Sequence, residues 1–161
     1  MFERPEYLNQ LIKFKDTDFI KVITGVRRSG KSVLLMLFQE HLIKEGVPDD
    51  QIIYMNFESF EYQTITTEER FREKLNELLP KDTKKIYLLF DEIQVVEGWQ
   101  RVINGIRVSF DSDIVITGSN ANMLSGELAT LLSGRYIEIP IYPFSFQEFL
   151  NVKGIELNSR K

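Results

Sequence analysis

The sequence predicts an α/β protein: a three-layer α/β/α sandwich around a five-stranded, mostly parallel sheet. Two observations lead there. Short apolar runs rich in β-branched residues alternate along the chain with longer stretches of helical spacing, and that alternation favours strand–helix–strand crossovers. The runs VIT, IIYMNF, IYLLF and IVIT are also apolar on both strand faces, as strands covered by helices on each side must be.

The elements follow in order. Arg4–Lys15 places Leu8, Leu11 and Ile12 at helical spacing and is expected to dock as a short helix on an apolar edge. Phe19–Thr24 reads as the first strand. Ser32–Lys44 reads as a helix whose Leu34, Leu35, Leu37, Phe38 and Leu42 face the core, leaving the single histidine, His41, on its surface. The second strand, Ile52–Phe57, leads into the irregular Glu58–Thr66, either a partner contact or a crossover loop with its aromatics packed inward. Helix Glu68–Leu79, strand Ile86–Phe90, helix Trp99–Phe110 and strand Ile114–Thr117 come next, with Trp99 a packing anchor or a partner contact. Helix Ala121–Leu132, strand Tyr136–Ile141 and helix Phe146–Val152 complete the series.

Composition narrows the chemistry. A chain of 161 residues with 43% hydrophobic and 27% charged residues suits one domain with one core. It contains no cysteine, which excludes disulfides, thiolate metal sites and thiol nucleophiles and suits a reducing cytosol. A formal net charge of −4 gives no global basic field of the kind that dominates non-specific nucleic-acid binding. MFERPEYLNQ lacks the apolar run of a signal peptide, and no stretch nears the roughly 18 apolar residues of a membrane span, so a cytoplasmic location without membrane contact is expected.

The sharpest signal is Gly25-Val26-Arg27-Arg28-Ser29-Gly30-Lys31-Ser32, a full G-x-x-x-x-G-K-[ST] match lying directly after a strand and directly before a helix. Its glycines let successive N–H groups curl around a phosphate, and the helix N-terminus adds partial positive charge. These eight residues and Val33 are the expected nucleotide contacts. Lys31 would reach the β- and γ-phosphates, and the Ser32 hydroxyl would join the coordination of Mg²⁺. Arg27 and Arg28 either add charge near the phosphates or stand as solvated loop arginines.

A second motif matches the first. The apolar strand IYLLF ends in Asp91-Glu92, and in a parallel sheet the carboxyl ends of the strands form the ligand crevice. Asp91 is thus the second expected Mg²⁺ group, and Glu92 the residue that polarises a water aimed at the γ-phosphate. Thr117-Gly118-Ser119-Asn120 brings small polar side chains to the same rim. Ser119 or Asn120 contacts the γ-phosphate or the water, with Asn120 the catalytic candidate, or one of them caps the following helix. Arg135 follows a natural C-cap at Gly134. It serves as a finger on a neighbouring subunit's nucleotide, as a sensor within its own chain, or as a plain salt bridge.

In the order GVRRSGKS, LLFDEIQ, GWQ, TGSNANML, SGRYIEIPIYPFSFQEF, the chain resembles the N-terminal AAA+-like P-loop ATPase domain of the AAA_14 type. The resemblance runs from about residue 18 to 150. It implies nucleotide contacts at Gly25, Gly30, Lys31 and Ser32, metal at Asp91, water at Glu92 and a polar sensor at Ser119 or Asn120. It also implies that residues 1–161 form one ATPase domain at the start of a longer protein, followed by a lid or winged-helix region and a nuclease-like domain. DNA, protein or a second copy of the chain, contacted through Arg135 in trans, are partners by this analogy alone.

The leading functional expectation is ATP binding and hydrolysis with Mg²⁺, driving movement of appended domains, weakly when the domain is isolated. The alternative is a nucleotide-gated protein- or DNA-binding module with little hydrolysis. A GTPase lacks support because no N-K-x-D-like sequence follows the fourth strand, and a DE pair suits water attack better than transfer to a small acceptor.

Overall fold

The structure is a computed structural model describing residues 5–82, 84–119, 123, 130–132 and 134–142. Its sheet has five strands in the order β2-β3-β4-β1-β5, formed by β1 (Ile20–Thr24), β2 (Ile52–Asn56), β3 (Ile86–Asp91), β4 (Ser112–Gly118) and β5 (Tyr136–Pro140). Every pairing is parallel, so the expected mostly parallel sheet is wholly so. All strand carboxyl ends therefore share one rim.

Side-chain alternation splits the core into two layers. Ile20 and Val22 of β1, Leu88 and Phe90 of β3, and Ile114 and Ile116 of β4 face one side. There they meet α3 (Glu68–Leu78) and α4 (Trp99–Ser109). Phe71 sits between Phe57 and Phe90 at ring separations of 5.1 and 5.2 Å, edge-on to both. Trp99 is buried in the same layer, as a packing anchor. Ile23, Leu89 and Val115 face the other side, under α1 (Pro5–Lys13) and α2 (Lys31–Lys44).

α2 buries its whole expected stripe of Leu34, Leu35, Leu37, Phe38 and Leu42. His41 stays at the helix surface, 3.2 Å from Glu45. α1 docks through Tyr7 and Leu11, with Leu8 only partly buried. Thr67 caps α3 by accepting a hydrogen bond from the Arg70 amide, as a threonine before an acidic first turn should. The helices expected over 121–132 and 146–152 lie largely outside the described residues. In 58–66, Ile65 is buried and Tyr62 packs on the core, while Phe60 is exposed.

One apolar strand hides a charge. Lys21, in the first strand, is fully buried against Asp113 of β4 at the rim opposite the phosphate loop. Its ammonium also donates to the Phe14 carbonyl, and Asp113 accepts from the Asp16 amide, so each buried charge keeps polar partners.

Candidate active site

β1 delivers the chain to Gly25, and two conformational requirements shape the loop that follows. A Cβ on Gly25 would lie 2.7 Å from both the Ile141 carbonyl and the Ser29 hydroxyl, so only glycine fits between β5 and the loop. Gly30 stands at φ 100° where α2 begins, a left-handed conformation that disfavours side chains. The turn closes with the Ser29 amide on the Val26 carbonyl. Lys31, almost fully buried, donates to the carbonyls of Gly25 and Val26 at 2.7 and 2.9 Å. A cleft of about 540 Å³ opens over the start of α2, bounded on the loop side by Arg27, Arg28 and residues 30–33, and across from them by Asn56, Glu58 and Glu92.

Asp91 is where the elements meet. Its buried carboxylate accepts from Ser32 at 2.5 Å, from Thr117 at 2.5 Å and from Tyr54 at 3.3 Å. Burial, then the neighbouring Asp91 carboxylate, pushes the Tyr54 phenol pKa up, so it stays a donor. Ser32 and Asp91 thus stand as two hard oxygen donors in contact beside the phosphate loop. Such a set suits Mg²⁺, which takes one or two protein oxygens and completes its shell with phosphates and water. Among the described residues no group of three or more His, Cys, Asp or Glu side chains could hold a metal ion.

Glu92 adopts a left-handed backbone, φ 55° and ψ 49°, costing on the order of 1 kcal/mol for a residue with a side chain. Several bonds enforce it. Its amide donates to the Thr117 hydroxyl at 2.9 Å, and its carboxylate accepts from Ser119 at 2.7 and 2.9 Å and from the Gln94 amide nitrogen at 3.0 Å. Lys31 lies 3.6 Å from the same carboxylate. The bend turns the carboxylate into the cleft.

The expected residues divide accordingly. Arg27, Arg28, Gly30, Lys31, Ser32, Val33 and Glu92 line the cleft, with Asp91 directly behind Ser32. Gly25 and Ser29 shape the loop from beneath, and Val26 is exposed apart from the carbonyl that holds Lys31. Arg27 is largely in solvent and pairs with Glu58 at 2.5 Å, which raises its pKa. Asn120 lies outside the described residues, while Ser119 binds Glu92. Arg135 precedes β5, so it sits at the amino end of the sheet, paired with Asp18 at 2.6 Å and about 20 Å along the strand direction from Gly25. That leaves a sensor of its own chain's nucleotide without geometric support.

The sequence singled out the segment that begins at Glu58 but not Tyr54, Asn56 or Gln94. Asn56 was within reach: it ends β2 in register with Asp91, so a parallel neighbour was bound to reach the same rim. Gln94 and Tyr54 depend on a turn and on a side-chain reach that no spacing rule encodes.

A phosphate-type glycine loop at the head of a helix, a serine and aspartate in contact, and an all-parallel sheet define a P-loop NTPase. More narrowly, residues 17–150 match the family described as AAA domain (AAA_14), and the chain belongs to that family. An uncharacterised Haemophilus influenzae protein is 61% identical over 160 residues, covering 99% of this chain and 40% of that protein. One from Methanocaldococcus jannaschii is 41% identical over 146 residues, covering 88% of this chain and 30% of that protein. The chain thus spans less than half the length of these relatives. Among solved structures, AMPPCP-bound DnaA from Aquifex aeolicus superposes with a TM-score of 0.56 at 16% identity, covering 84% of this chain and 44% of that one. A DNA polymerase III gamma subunit-related protein from Thermotoga maritima gives 0.58 at 12%, covering 86% of this chain and 46% of that one. At such identities these two show a shared fold. No helix among the described residues is long and apolar enough to cross a membrane.

Proposed function

We propose that this chain is a Mg²⁺-dependent ATP-binding and ATP-hydrolysing domain whose turnover drives movement of further domains or of a partner. The observation that carries the reading is the meeting of Lys31 and Ser32, at the start of α2, with Asp91 and Glu92, at the end of β3, around one cleft. Lys31 exchanges its bonds to the Gly25 and Val26 carbonyls for phosphate oxygens. Ser32 and Asp91 would hold Mg²⁺, which would supply charge neutralisation on the phosphates. Glu92, fixed at the cleft wall, accepts a proton from the water that attacks the γ-phosphate.

Adenine rather than guanine is favoured by family membership and by the absence of an N-K-x-D-like sequence after β4. Arg135, half exposed on the far rim and paired with Asp18, would in a second copy of the chain act on the neighbour's nucleotide, a role that rests on the family analogy. Slow turnover by the isolated domain follows, because no neighbour then supplies that charge. A protein or DNA partner rests on the family analogy, and a cytoplasmic location on the cysteine-free composition.

Calorimetric titration tests the binding step. ATP with Mg²⁺ should bind the wild type, and Lys31→Ala should weaken binding by about tenfold or more, since a buried charge-assisted contact is lost. Equal affinity in the two proteins would remove Lys31 from the site.

A further inference from the structure

Glu92 receives a donor that no motif assigns. Gln94 belongs to the 3₁₀ turn Ile93–Val95, and its amide nitrogen donates to Glu92 Oε1 at 3.0 Å. In helical geometry, residues two apart do not face each other. Here the left-handed backbone of Glu92 folds the turn back so that they do. The amide orientation is fixed, because turning it over would set its oxygen against a carboxylate oxygen. Ser119 closes the other side by donating across both carboxylate oxygens.

A glycine on the next strand makes room for this contact. A Cβ on Gly118 would lie 2.8 Å from the Gln94 amide oxygen and 2.0 Å from the Met123 sulfur. Gly118 does not adopt a positive φ, so its lack of a side chain serves space and not backbone conformation. The glycine of Thr117–Ser119 and the glutamine of Asp91–Gln94 therefore form one packing unit built against the carboxylate. With the Glu92 side chain only 9% exposed, little water competes for its lone pairs, and fixed donors decide where it points.

We propose that Gln94 is a positioning residue: with Ser119, and in the space left by Gly118, it fixes the Glu92 carboxylate toward the attacking water. The assignment rests on the ATPase reading above. Without Gln94 the carboxylate keeps its charge but gains rotational freedom and swings toward the Lys31 ammonium 3.6 Å away. Misplacing a proton acceptor by a fraction of its reach lowers the rate of the chemical step more than nucleotide binding.

The test uses Gln94→Met, which keeps the length without the donor, and Gln94→Glu, which keeps the shape but faces an acceptor to the carboxylate. Both are compared with the wild type by calorimetry with Mg·ATP and by single-turnover phosphate release, with melting curves to confirm folding, and both are repeated in a Glu92→Gln background. Each should cut the single-turnover rate by about tenfold or more while ATP affinity stays within about threefold. Neither should slow the Glu92→Gln protein further, because no carboxylate remains to orient. A parallel fall in rate and affinity, an undiminished rate, or the same fractional loss in the Glu92→Gln background would overturn the role of Gln94. A Glu92→Gln protein as fast as wild type would instead overturn the ATPase reading, and this assignment with it.

Discussion

Asp91 takes three side-chain donors, and their distances rank what each removal should do. The Ser32 hydroxyl at 2.5 Å is also an expected metal ligand, whereas the Tyr54 hydroxyl at 3.3 Å is a long, secondary contact. Ser32→Ala should therefore raise the Mg²⁺ concentration needed for half-maximal ATP binding by about tenfold, and Tyr54→Phe by no more than about threefold. A Mg²⁺ titration of ATP affinity measures both. At the far rim, burial works against the Asp16 carboxylate, yet hydrogen bonds from Lys15, Tyr87 and Lys85 outweigh it and hold its pKa at about 2. A depressed carboxylate stabilises the fold above its unfolded pKa and loses that contribution as pH falls through its folded one. Wild type should thus exceed Asp16→Asn in unfolding free energy at pH 7. The gap should close between about pH 4 and pH 2 in urea titrations, and a pH-independent gap would exclude the linkage.

Between elements, two ion pairs of opposite character make separate predictions. Arg27 and Glu58 join the phosphate loop to the segment after β2 at the mouth of the cleft, with Arg27 largely in solvent. Screening keeps such a pair weak, but its carboxylate stands beside an anion site. Glu58→Gln should tighten Mg·ATP binding about threefold at low salt, and the gain should vanish at high salt. Lys21 and Asp113 are both fully buried, and burial drives the lysine pKa down. Lys21→Met alone, leaving Asp113 uncompensated, should cost about 3–5 kcal/mol, and Lys21→Met with Asp113→Leu should recover most of it. Chemical denaturation of the three proteins checks the order. Neither pair was legible in the sequence: Lys21 interrupts an apolar strand with no local sign of a partner ninety-two positions away, and Glu58 stood in a stretch with no regular pattern. Gly25–Ser32 and Asp91-Glu92 were legible because each is a contiguous run whose strand context fixes its direction.

Over the whole molecule, strands apolar on both faces, alternating with stretches of helical spacing such as the buried stripe of α2, carried enough pattern for the α/β sandwich to be read in advance. The parallel sheet then carried the site, since it sends every strand's carboxyl end to one rim. The same rule places Arg135, which precedes its strand, on the other rim, where it pairs with Asp18. What the pattern did not contain was the turn after Glu92, where a left-handed residue folds Gln94 back onto the carboxylate. Glu92 is the group proposed to act on water. Single-turnover hydrolysis of Mg·ATP, with binding measured on the same samples, tests this most directly in wild type and Glu92→Gln. The expected result is ATP affinity within about threefold and a rate lower by about a hundredfold or more; equal rates in the two proteins would contradict it.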